Sequence, residues 1–226
     1  MHRVGALNDA AARVALERGA QALGVRLDAV QLDQLLAYLH MLEKWGLVYN
    51  LTALRTREEM ITHHLLDSLA LVTPLRRFLA QPSGRSGVRL LDVGSGAGLP
   101  GVVVAICCPQ LTVTCVDTVA KKAAFVTQVA LRLQLANLRS LQARVESLVA
   151  GFDIVVARAF ASLTDLAQMS AGALNPDGIW IAMKGRRPEQ EVAALSAAVK
   201  VFHVEPLQVP GLDAQRCLVW MAPATA

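Results

Sequence analysis

Hydrophobic and polar positions follow two different periodicities along the chain, and the change comes near residue 80. Before that point the apolar residues recur at helical spacing. In the second predicted helix the recurring apolar positions are Leu32, Leu35, Leu36, Leu39 and Leu42. We therefore expect residues 1–80 to form a helical region, and the pattern divides it into three helices.

Capping residues mark the ends of the first two helices. Asn8 or Asp9 can cap a first helix that runs to about Gly24. Asp28 can cap the second, and Gly46 is a suitable C-terminal stop.

The third helix is predicted from a capping box. Thr56 and Glu59 have the required spacing, so that each side chain can reach the other's backbone N–H. The helix should then cover 57–79, with a disturbance at Pro74. Residues 81–87 (QPSGRSG) have the composition of a linker.

After the linker, short β-branched runs alternate with helical stretches. Strands are predicted near 88–93, 111–116, 138–142, 152–157, 178–183, 201–209 and 215–221. Helices are predicted near 98–108, 119–135, 162–174 and 189–199. This alternation indicates βαβ units in a parallel sheet, and the short turn at 210–213 makes the last two strands an antiparallel hairpin. The predicted fold is a Rossmann-like α/β domain over 81–226, mostly parallel, with an N-terminal helical extension.

Composition is compatible with a large buried core, since 54% of the 226 residues are hydrophobic. No apolar stretch approaches the roughly 20 residues of a membrane-spanning helix, and residues 1–9 lack a signal-peptide pattern. We expect a cytoplasmic protein without membrane contact. The net charge of +4 allows a polyanionic partner without requiring one. The cysteines lack zinc-ligand or redox spacing and should be reduced and buried: Cys107, Cys108, Cys115 and Cys217.

The segment Leu90–Gly101 (LLDVGSGAGLPG) contains the main candidate for a ligand site. Residues 96–101 satisfy the dinucleotide fingerprint, with Asp117 at the distance expected for a ribose contact. Read from Asp92, the same segment places a carboxylate at the end of the first strand. That charge favours the cationic sulfonium and ammonium of S-adenosylmethionine over a diphosphate, so we favour the methyl donor. A tight turn without a ligand is the third interpretation.

Two more acids follow the second and third predicted strands. Asp117 can accept from ribose hydroxyls, and it can also cap the helix that begins near Val119. Glu146 can accept from an adenine amino group, or it can be a plain surface carboxylate. Both acids agree with a nucleoside ligand, and neither distinguishes a nicotinamide cofactor from a methyl donor.

Several separate motifs point to one known family. They are DVGSGAGLPG (92–101), ARVES (143–147), FDIVVARAFASL (152–163), EKWGLVYNLT (43–52), HLLDSL (64–69) and Lys184-Gly185. Together they resemble the RsmG family, also called GidB, of 16S ribosomal RNA guanine-N7 methyltransferases. The resemblance covers about residues 30–220. One departure is Gly46, where that family usually has Asn, and it leaves the shape of this segment open.

The resemblance implies an S-adenosylmethionine pocket formed by the glycine segment and by the residues after the third and fourth strands. The resemblance implies Gly94, Leu99, Val145, Glu146 and Arg158 as cofactor-binding residues. Gly96 from the glycine segment and Asp117 from the end of the second strand complete the predicted set. The resemblance also implies the target, N7 of a guanosine in the 530 loop of 16S rRNA (position 527 in the family), and so the small ribosomal subunit as partner. We expect no metal and a monomeric protein.

The residues after the fourth strand agree with methylation at guanine N7. The N7 lone pair lies in the ring plane, so no proton has to be removed before transfer. Residues 157–160 (ARAF) lack the proline pair found in enzymes that methylate exocyclic amines. Arg158, the one possible catalytic residue, can shape the cofactor pocket, contact phosphate, donate to guanine O6, or form a salt bridge with Asp153 or Glu146. Phe160 can stack on a flipped base or pack in the core.

Basic residues after the fifth strand are candidates for RNA contact. Lys184, Arg186 and Arg187 should lie at the carboxyl edge of the sheet, where ligands bind in open α/β folds. We expect them to contact phosphates; a solvated loop is the alternative.

Two remaining groups have structural interpretations as well. His63, His64 and Asp67 suggest a metal site, but a full ligand set is missing, which favours hydrogen bonding instead. Tyr49 and Asn50 can fix the connection between helices or contact RNA.

Three other functions remain open at this point. The dinucleotide fingerprint allows an NAD-dependent oxidoreductase. The methyl-donor interpretation also allows a methyltransferase for a small molecule or a protein. A non-catalytic RNA-binding module could retain the same fold.

Overall fold

The computed structural model describes residues 7–49, 54, 56–81, 87–149, 151–160 and 162–224. Its central sheet has seven strands in the order β3-β2-β1-β4-β5-β7-β6. The strands are β1 (Arg89–Val93), β2 (Thr112–Asp117), β3 (Leu138–Gln142), β4 (Phe152–Arg158), β5 (Leu174–Lys184), β6 (Val199–Leu207) and β7 (Arg216–Pro223). Strands β1 to β5 are parallel, and β7 is antiparallel to both β5 and β6. The predicted parallel sheet and its C-terminal hairpin are therefore confirmed.

Helices precede the sheet and cover its faces. They are α1 (Asp9–Ala22), α2 (Ala29–Tyr49), α3 (Arg57–Met60), α4 (Asp67–Leu69), α5 (Val72–Leu79), α6 (Gly101–Cys107), α7 (Ala120–Arg132), α8 (Leu163–Ser170) and α9 (Glu189–Ala193). A π-helix, Ile61–Leu66, joins α3 to α4, and short 3₁₀ turns cover Val145–Ser147 and Ala171–Ala173.

The predicted helix starts are confirmed by their hydrogen bonds. The Asn8 side chain accepts from the N–H of Ala11 at 2.9 Å, and Asp28 accepts from the N–H of Gln31 at 2.8 Å. Thr56 and Glu59 form the capping box. These contacts satisfy N–H groups that have no partner inside the helix.

Two predictions for the helical region are wrong. Helix α2 continues through Gly46, because the neighbouring Trp45 packs on Phe125 with ring centroids 5.2 Å apart and this tertiary contact outweighs the low helix propensity of glycine. The third helix is divided by the π-helix and by a break before α5. Pro74 lies in the first turn of α5, where a missing N–H is tolerated.

Differences in the α/β part concern the ends of elements. Strand β5 begins at Leu174 instead of 178, because the helix before it ends at Ser170. Helix α6 begins at Gly101 instead of 98, since residues 98–100 form a turn. Helix α9 ends at Ala193, well before the predicted 199. Most of the predicted linker, residues 82–86, lies outside the described residues, as do Asn50 and the start of the chain.

The strand order places a switch point beside β1. From β1 the chain moves to β2 and β3 on one side, and from β4 it moves to β5 on the other. Ligands of open α/β sheets bind at the carboxyl ends of the strands at such a point. The glycine segment follows β1 and therefore lies in this position.

One continuous hydrophobic cluster joins the helical region to the sheet. It contains Leu16 of α1, Tyr38 of α2, Val104 of α6, Phe125 of α7 and Leu90 of β1. A second cluster covers the other face, around α8. All four cysteines are free and buried, as predicted. None of the described helices combines the length and the apolar character of a membrane span.

Candidate functional site

The glycine segment is a compact loop between β1 and α6. Gly94, Gly96 and Gly98 all have positive φ, at +65°, +59° and +86°, a conformation that glycine adopts without steric cost. The N–H groups of Gly94 and Ser95 donate to the carbonyl of Val116, at 2.9 and 3.1 Å, so the loop is fixed to the neighbouring strand β2.

The amides of this loop are engaged within the protein. Gly96 donates to Asp117 at 3.0 Å, and Gly98 and Leu99 donate to the carbonyl of Ser95 at 2.8 and 2.9 Å. Gly101 donates to Asp92 at 2.7 Å. A dinucleotide fold needs such N–H groups for its pyrophosphate. The arrangement therefore disfavours the dinucleotide interpretation of residues 96–101.

Asp92 does not occupy the position expected from the sequence. Its side chain is fully buried, and its Oδ2 accepts from the N–H of Gly101 at the start of α6. Burial raises the pKa of this carboxyl to about 7, against the lowering effect of the Gly101 hydrogen bond and of Arg158. The expectation of a carboxylate open to the ligand is thus corrected: Asp92 supports the loop from below, while its Oδ1 has no hydrogen-bond partner among the described residues.

Asp117, at the end of β2, also supports the loop. Its two oxygens accept from the N–H groups of Gly96 and Val119, and Lys122 Nζ lies 3.5 Å away. The Val119 contact closes a short turn before α7. The N-cap of that helix is Val119, without a side-chain hydrogen bond, so Asp117 is not the N-cap that the sequence suggested. Its side chain is nearly buried, and both oxygens have lone pairs to spare for a ribose hydroxyl.

The space available beside the backbone differs among the glycines of this segment. A Cβ added to Gly96 would meet no atom within 4 Å, whereas one at Gly101 would lie 2.4 Å from Cys115 Sγ and 2.8 Å from Asp92 Oδ2. A Cβ at Gly94 would be 3.5 Å from Phe160. A ligand can therefore approach the backbone at Gly96, while Gly101 is required for internal packing.

The residues after β3 lie at the same edge of the sheet. The N–H of Ala143 donates to the carbonyl of Asp117 at 3.2 Å, which brings the following 3₁₀ turn next to β2. In that turn Val145 is buried and Glu146 is exposed. Leu99 is buried in the glycine loop itself. The predicted cofactor residues thus follow or end β1, β2, β3 and β4 at the carboxyl edge of the sheet, with Arg158 as the last residue of β4.

Arg158 makes a salt bridge, but not with the predicted acids. Its Nη1 donates to Asp67 at 3.0 Å and to the carbonyl of His63 at 2.8 Å. Asp153 instead accepts from the N–H of Arg89. The side chain of Arg158 is 19% exposed, so it faces the helical region more than solvent.

The hydrogen bonding predicted around His63, His64 and Asp67 is present at the carbonyl of His63 and at the Asp67 side chain. Within the described residues no group of three potential metal ligands occurs. Asp67 accepts from Arg158 and from Arg216, the latter at 2.7 Å. Burial lowers the pKa of His64 to about 4, helped by the positive charge of Arg158.

The basic residues after β5 divide into two kinds. Lys184 donates to both oxygens of Glu191, at 3.1 and 2.8 Å, and is 14% exposed, so it is an internal ion pair and the prediction of a free phosphate contact is wrong for it. Arg186 and Arg187 are exposed in the loop before α9. They remain available to a polyanion.

The corner after β4 has an unusual backbone. Ala159 has φ +56°, which is uncommon for a residue with a side chain and costs about 1 kcal/mol or more. This turn directs Arg158 to the helical region and lets Phe160 pack, half buried, over Gly94. Beside it lies a cavity of about 520 Å³, whose lining includes Ala159 and Asp67.

Three supporting residues could not be found from the sequence. Tyr38 donates from α2 to the carbonyl of Ala97 in the glycine loop, at 2.6 Å in a fully buried position. Arg216 donates to Asp67, and Glu191 accepts from Lys184. An apolar stripe on a helix gives no sign that one tyrosine reaches a distant loop.

The family comparison agrees with these features. The family model GidB, described as rRNA small subunit methyltransferase G, matches residues 31–219. The chain belongs to this family. A ribosomal RNA small subunit methyltransferase G of Polaromonas naphthalenivorans (strain CJ2) is 58% identical over 213 residues, which cover 94% of this chain and 96% of the relative. Its counterpart in Acidovorax sp. (strain JS42) is 59% identical over 213 residues, with 92% and 94% coverage.

Solved structures support the fold. TrmN from Thermus thermophilus aligns with a TM-score of 0.53 at 16% identity, over 97% of this chain and 80% of that one. A SAM-dependent methyltransferase from Geobacter sulfurreducens, solved in complex with S-adenosyl-L-homocysteine, aligns with a TM-score of 0.51 at 13% identity. The alignment covers 70% of this chain and 90% of that one. As a GidB family member the chain is an S-adenosylmethionine-dependent methyltransferase, as predicted, and the oxidoreductase alternative is rejected.

Proposed function

We propose that the protein transfers a methyl group from S-adenosylmethionine to N7 of a guanosine in the 530 loop of 16S rRNA, position 527 in the family's target. The observation that carries this proposal is the GidB match over residues 31–219, which includes the glycine loop, the β4 corner and the helical region. The relatives are named for small-subunit ribosomal RNA. The proposal extends that substrate to this chain.

The geometry of the loop fits this cofactor. The backbone at Gly96 is open to a ligand, and Asp117 beside it can accept from ribose hydroxyls. Glu146 is exposed next to the buried Val145, in the position expected for an adenine contact. We propose that these residues, with Gly94 and Leu99, hold the cofactor. Arg158 contributes indirectly, by the turn that places Phe160 over Gly94.

When bound, S-adenosylmethionine supplies an electrophilic methyl carbon whose bond to sulfur breaks as the new bond to N7 forms. The guanine N7 lone pair is available at neutral pH, so the protein does not have to remove a proton. The ionisable groups described near the cavity agree with this: Asp67 is held by two arginines and Lys184 by Glu191. The contribution of the protein is therefore to hold the two reactants close and in line.

RNA binding is proposed to use the exposed Arg186 and Arg187 at the carboxyl edge of the sheet. Each phosphate that a protein neutralises increases the salt dependence of binding. We expect the variant R186Q/R187Q to bind small-subunit RNA more weakly and with a flatter salt dependence. An unchanged salt slope would contradict a phosphate contact. We further expect the protein to act as a monomer.

The test is a methylation assay followed by nucleoside analysis. Wild-type protein, methyl-labelled S-adenosylmethionine and small-subunit RNA, either naked or in assembling particles, should give labelled 7-methylguanosine. RNA with the target guanosine replaced by adenosine is the matched control and should give none. If the methyl label appears in another nucleoside, or only in protein, the proposed substrate is wrong. No transfer to any RNA would favour a binding module.

A further inference from the structure

A cavity of about 520 Å³ lies at the carboxyl ends of β4 and β5. Arg158 and Ala159 line it, and the following residue, Phe160, lies over Gly94. The charge of Arg158 also reaches Asp92 beneath the loop, where it opposes the effect of burial on that carboxyl. The cavity therefore adjoins the proposed cofactor site on the side of the β4 corner.

One carboxylate in the cavity lining binds two arginines. Asp67 is 5% exposed; its Oδ2 accepts from Arg158 at 3.0 Å and its Oδ1 accepts from Arg216 at 2.7 Å. The three residues come from α4, β4 and β7, and we refer to Arg158, Asp67 and Arg216 as the Arg–Asp–Arg cluster. The carbonyl of His63, in the π-helix, holds Arg158 at a second point.

The cluster leaves an excess of positive charge beside the cavity. One carboxylate cannot neutralise two guanidinium groups, so the net charge of the cluster is +1. Lys184, also in the lining, is already neutralised by Glu191, and the lowered pKa of His64 keeps that ring uncharged at neutral pH. Each guanidinium has five N–H donors, and the bonds described here use only part of them.

We propose that this cavity receives the target nucleotide and that Asp67 is a positioning residue, which holds Arg158 and Arg216 so that they donate to oxygen acceptors of that nucleotide. The inference rests on the proposed function and deepens it. Suitable acceptors are guanine O6 and the phosphate of the same nucleotide. A planar guanidinium held at fixed points donates with less loss of side-chain entropy than a free one.

The first test is Asp67→Asn, which keeps the size of the side chain and removes its charge. Asn presents one acceptor and one N–H₂ group, so at least one arginine loses its partner. We expect kcat/KM for small-subunit RNA to fall by about 10- to 100-fold, since small misplacements at a reacting centre have effects of this size. The affinity for S-adenosylhomocysteine, measured by calorimetry, should stay within about twofold of the wild type.

A second variant, Arg216→Gln, keeps the test valid if Asp67→Asn does not fold. It removes one donor group at a side chain that is 23% exposed, and the same loss of kcat/KM is expected. The salt dependence of RNA binding by this variant distinguishes a phosphate acceptor from guanine O6. If the slope of log affinity against log salt concentration is flatter by about one charge, Arg216 contacts a phosphate. If that slope is unchanged while kcat/KM falls equally, Arg216 contacts the base.

The matched control is Glu205→Gln, which removes another carboxylate that binds an arginine, here Arg77, at 2.7 and 2.8 Å on β6. It should leave kcat/KM unchanged. If folded Asp67→Asn and Arg216→Gln both methylate RNA like the wild type, the positioning role is rejected while the proposed function stands. If the wild type itself forms no 7-methylguanosine, the proposed function fails first.

Discussion

At the scale of single residues, the two acids at the ends of β1 and β2 bind backbone N–H groups. Asp92 accepts from Gly101 and Asp117 accepts from Gly96, so both ends of the glycine loop are held by carboxylates. The two sites differ in desolvation. Asp92 is fully buried, and this desolvation raises its pKa to about 7. Its Oδ1 finds no hydrogen-bond partner in the part of the chain that the structure describes.

Asp92 should make stability depend on pH. Its pKa in the folded protein lies above the unfolded value, so between about pH 4 and 7 the folded state binds more protons. The free energy of unfolding should therefore fall as pH rises through this window. In Asp92→Asn, which is neutral throughout, that fall is absent. In thermal melts, the Tm of the wild type should fall between pH 5 and pH 8 by on the order of 5 °C more than the Tm of Asp92→Asn.

A surface carboxylate serves as the comparison for this experiment. Asp33→Asn replaces a carboxylate that is 63% exposed by a neutral amide, and the Tm of this variant should follow the wild type at every pH. Parallel pH profiles of wild type and Asp92→Asn would contradict the assignment.

Gly96 provides a prediction for cofactor binding. Gly96→Ala and Gly87→Ala introduce a Cβ at similar positive φ, +59° and +68°, and in both cases the Cβ meets no atom within 4 Å. Both should lose about 1–2 kcal/mol of stability from backbone strain. Only Gly96→Ala should weaken S-adenosylhomocysteine binding in calorimetry, by about tenfold or more, equal to 1.4 kcal/mol. Equal affinities in the two variants would place the cofactor elsewhere.

At the scale of elements, α2 supports the site although it lies far from it in sequence. Its Tyr38 binds the glycine loop, and its Gln31 and Gln34 donate to the carbonyls of Ile106 and Leu133 at the ends of α6 and α7. These carbonyls have no partner within their own helices. Helix α2 thus fixes both helices that follow β1 and β2.

Tyr38→Phe tests this supporting role. The variant leaves the carbonyl of Ala97 buried without its donor, which should cost about 1–3 kcal/mol of unfolding free energy. Because that carbonyl is part of the glycine loop, affinity for S-adenosylhomocysteine should fall as well. Thr73→Val removes a comparable bond to the carbonyl of Leu23, away from the site, and should lower stability alone. Unchanged cofactor affinity in Tyr38→Phe would show that the bond serves stability only.

At the scale of the whole molecule, the continuous cluster from α1 to β7 connects the helical region with the sheet. The division at residues 80 and 81 remains a prediction about chain organisation. The shared cluster means that neither part has its own complete core, because α6 packs on helices of both parts.

The whole protein should therefore unfold in one cooperative step. Circular dichroism and tryptophan fluorescence should give the same midpoint, since Trp45 reports on α2 while Trp180 and Trp220 report on the sheet. The calorimetric and van't Hoff enthalpies should agree. Two separate transitions would show that the helical region folds independently.

The sequence alone determined the N-terminal caps of the first three helices, the parallel sheet with its hairpin, the glycine loop and the family, because these depend on neighbouring residues and on periodicity. It could not determine the ion-pair partners. Arg158 and Arg216 meet Asp67 across 91 and 149 positions, and no local pattern records such a contact. It also misplaced Asp92, because whether a carboxylate faces a ligand or a helix end depends on how α6 packs over the strand. Only the tertiary structure decided which charges are neutralised and which remain beside the cavity.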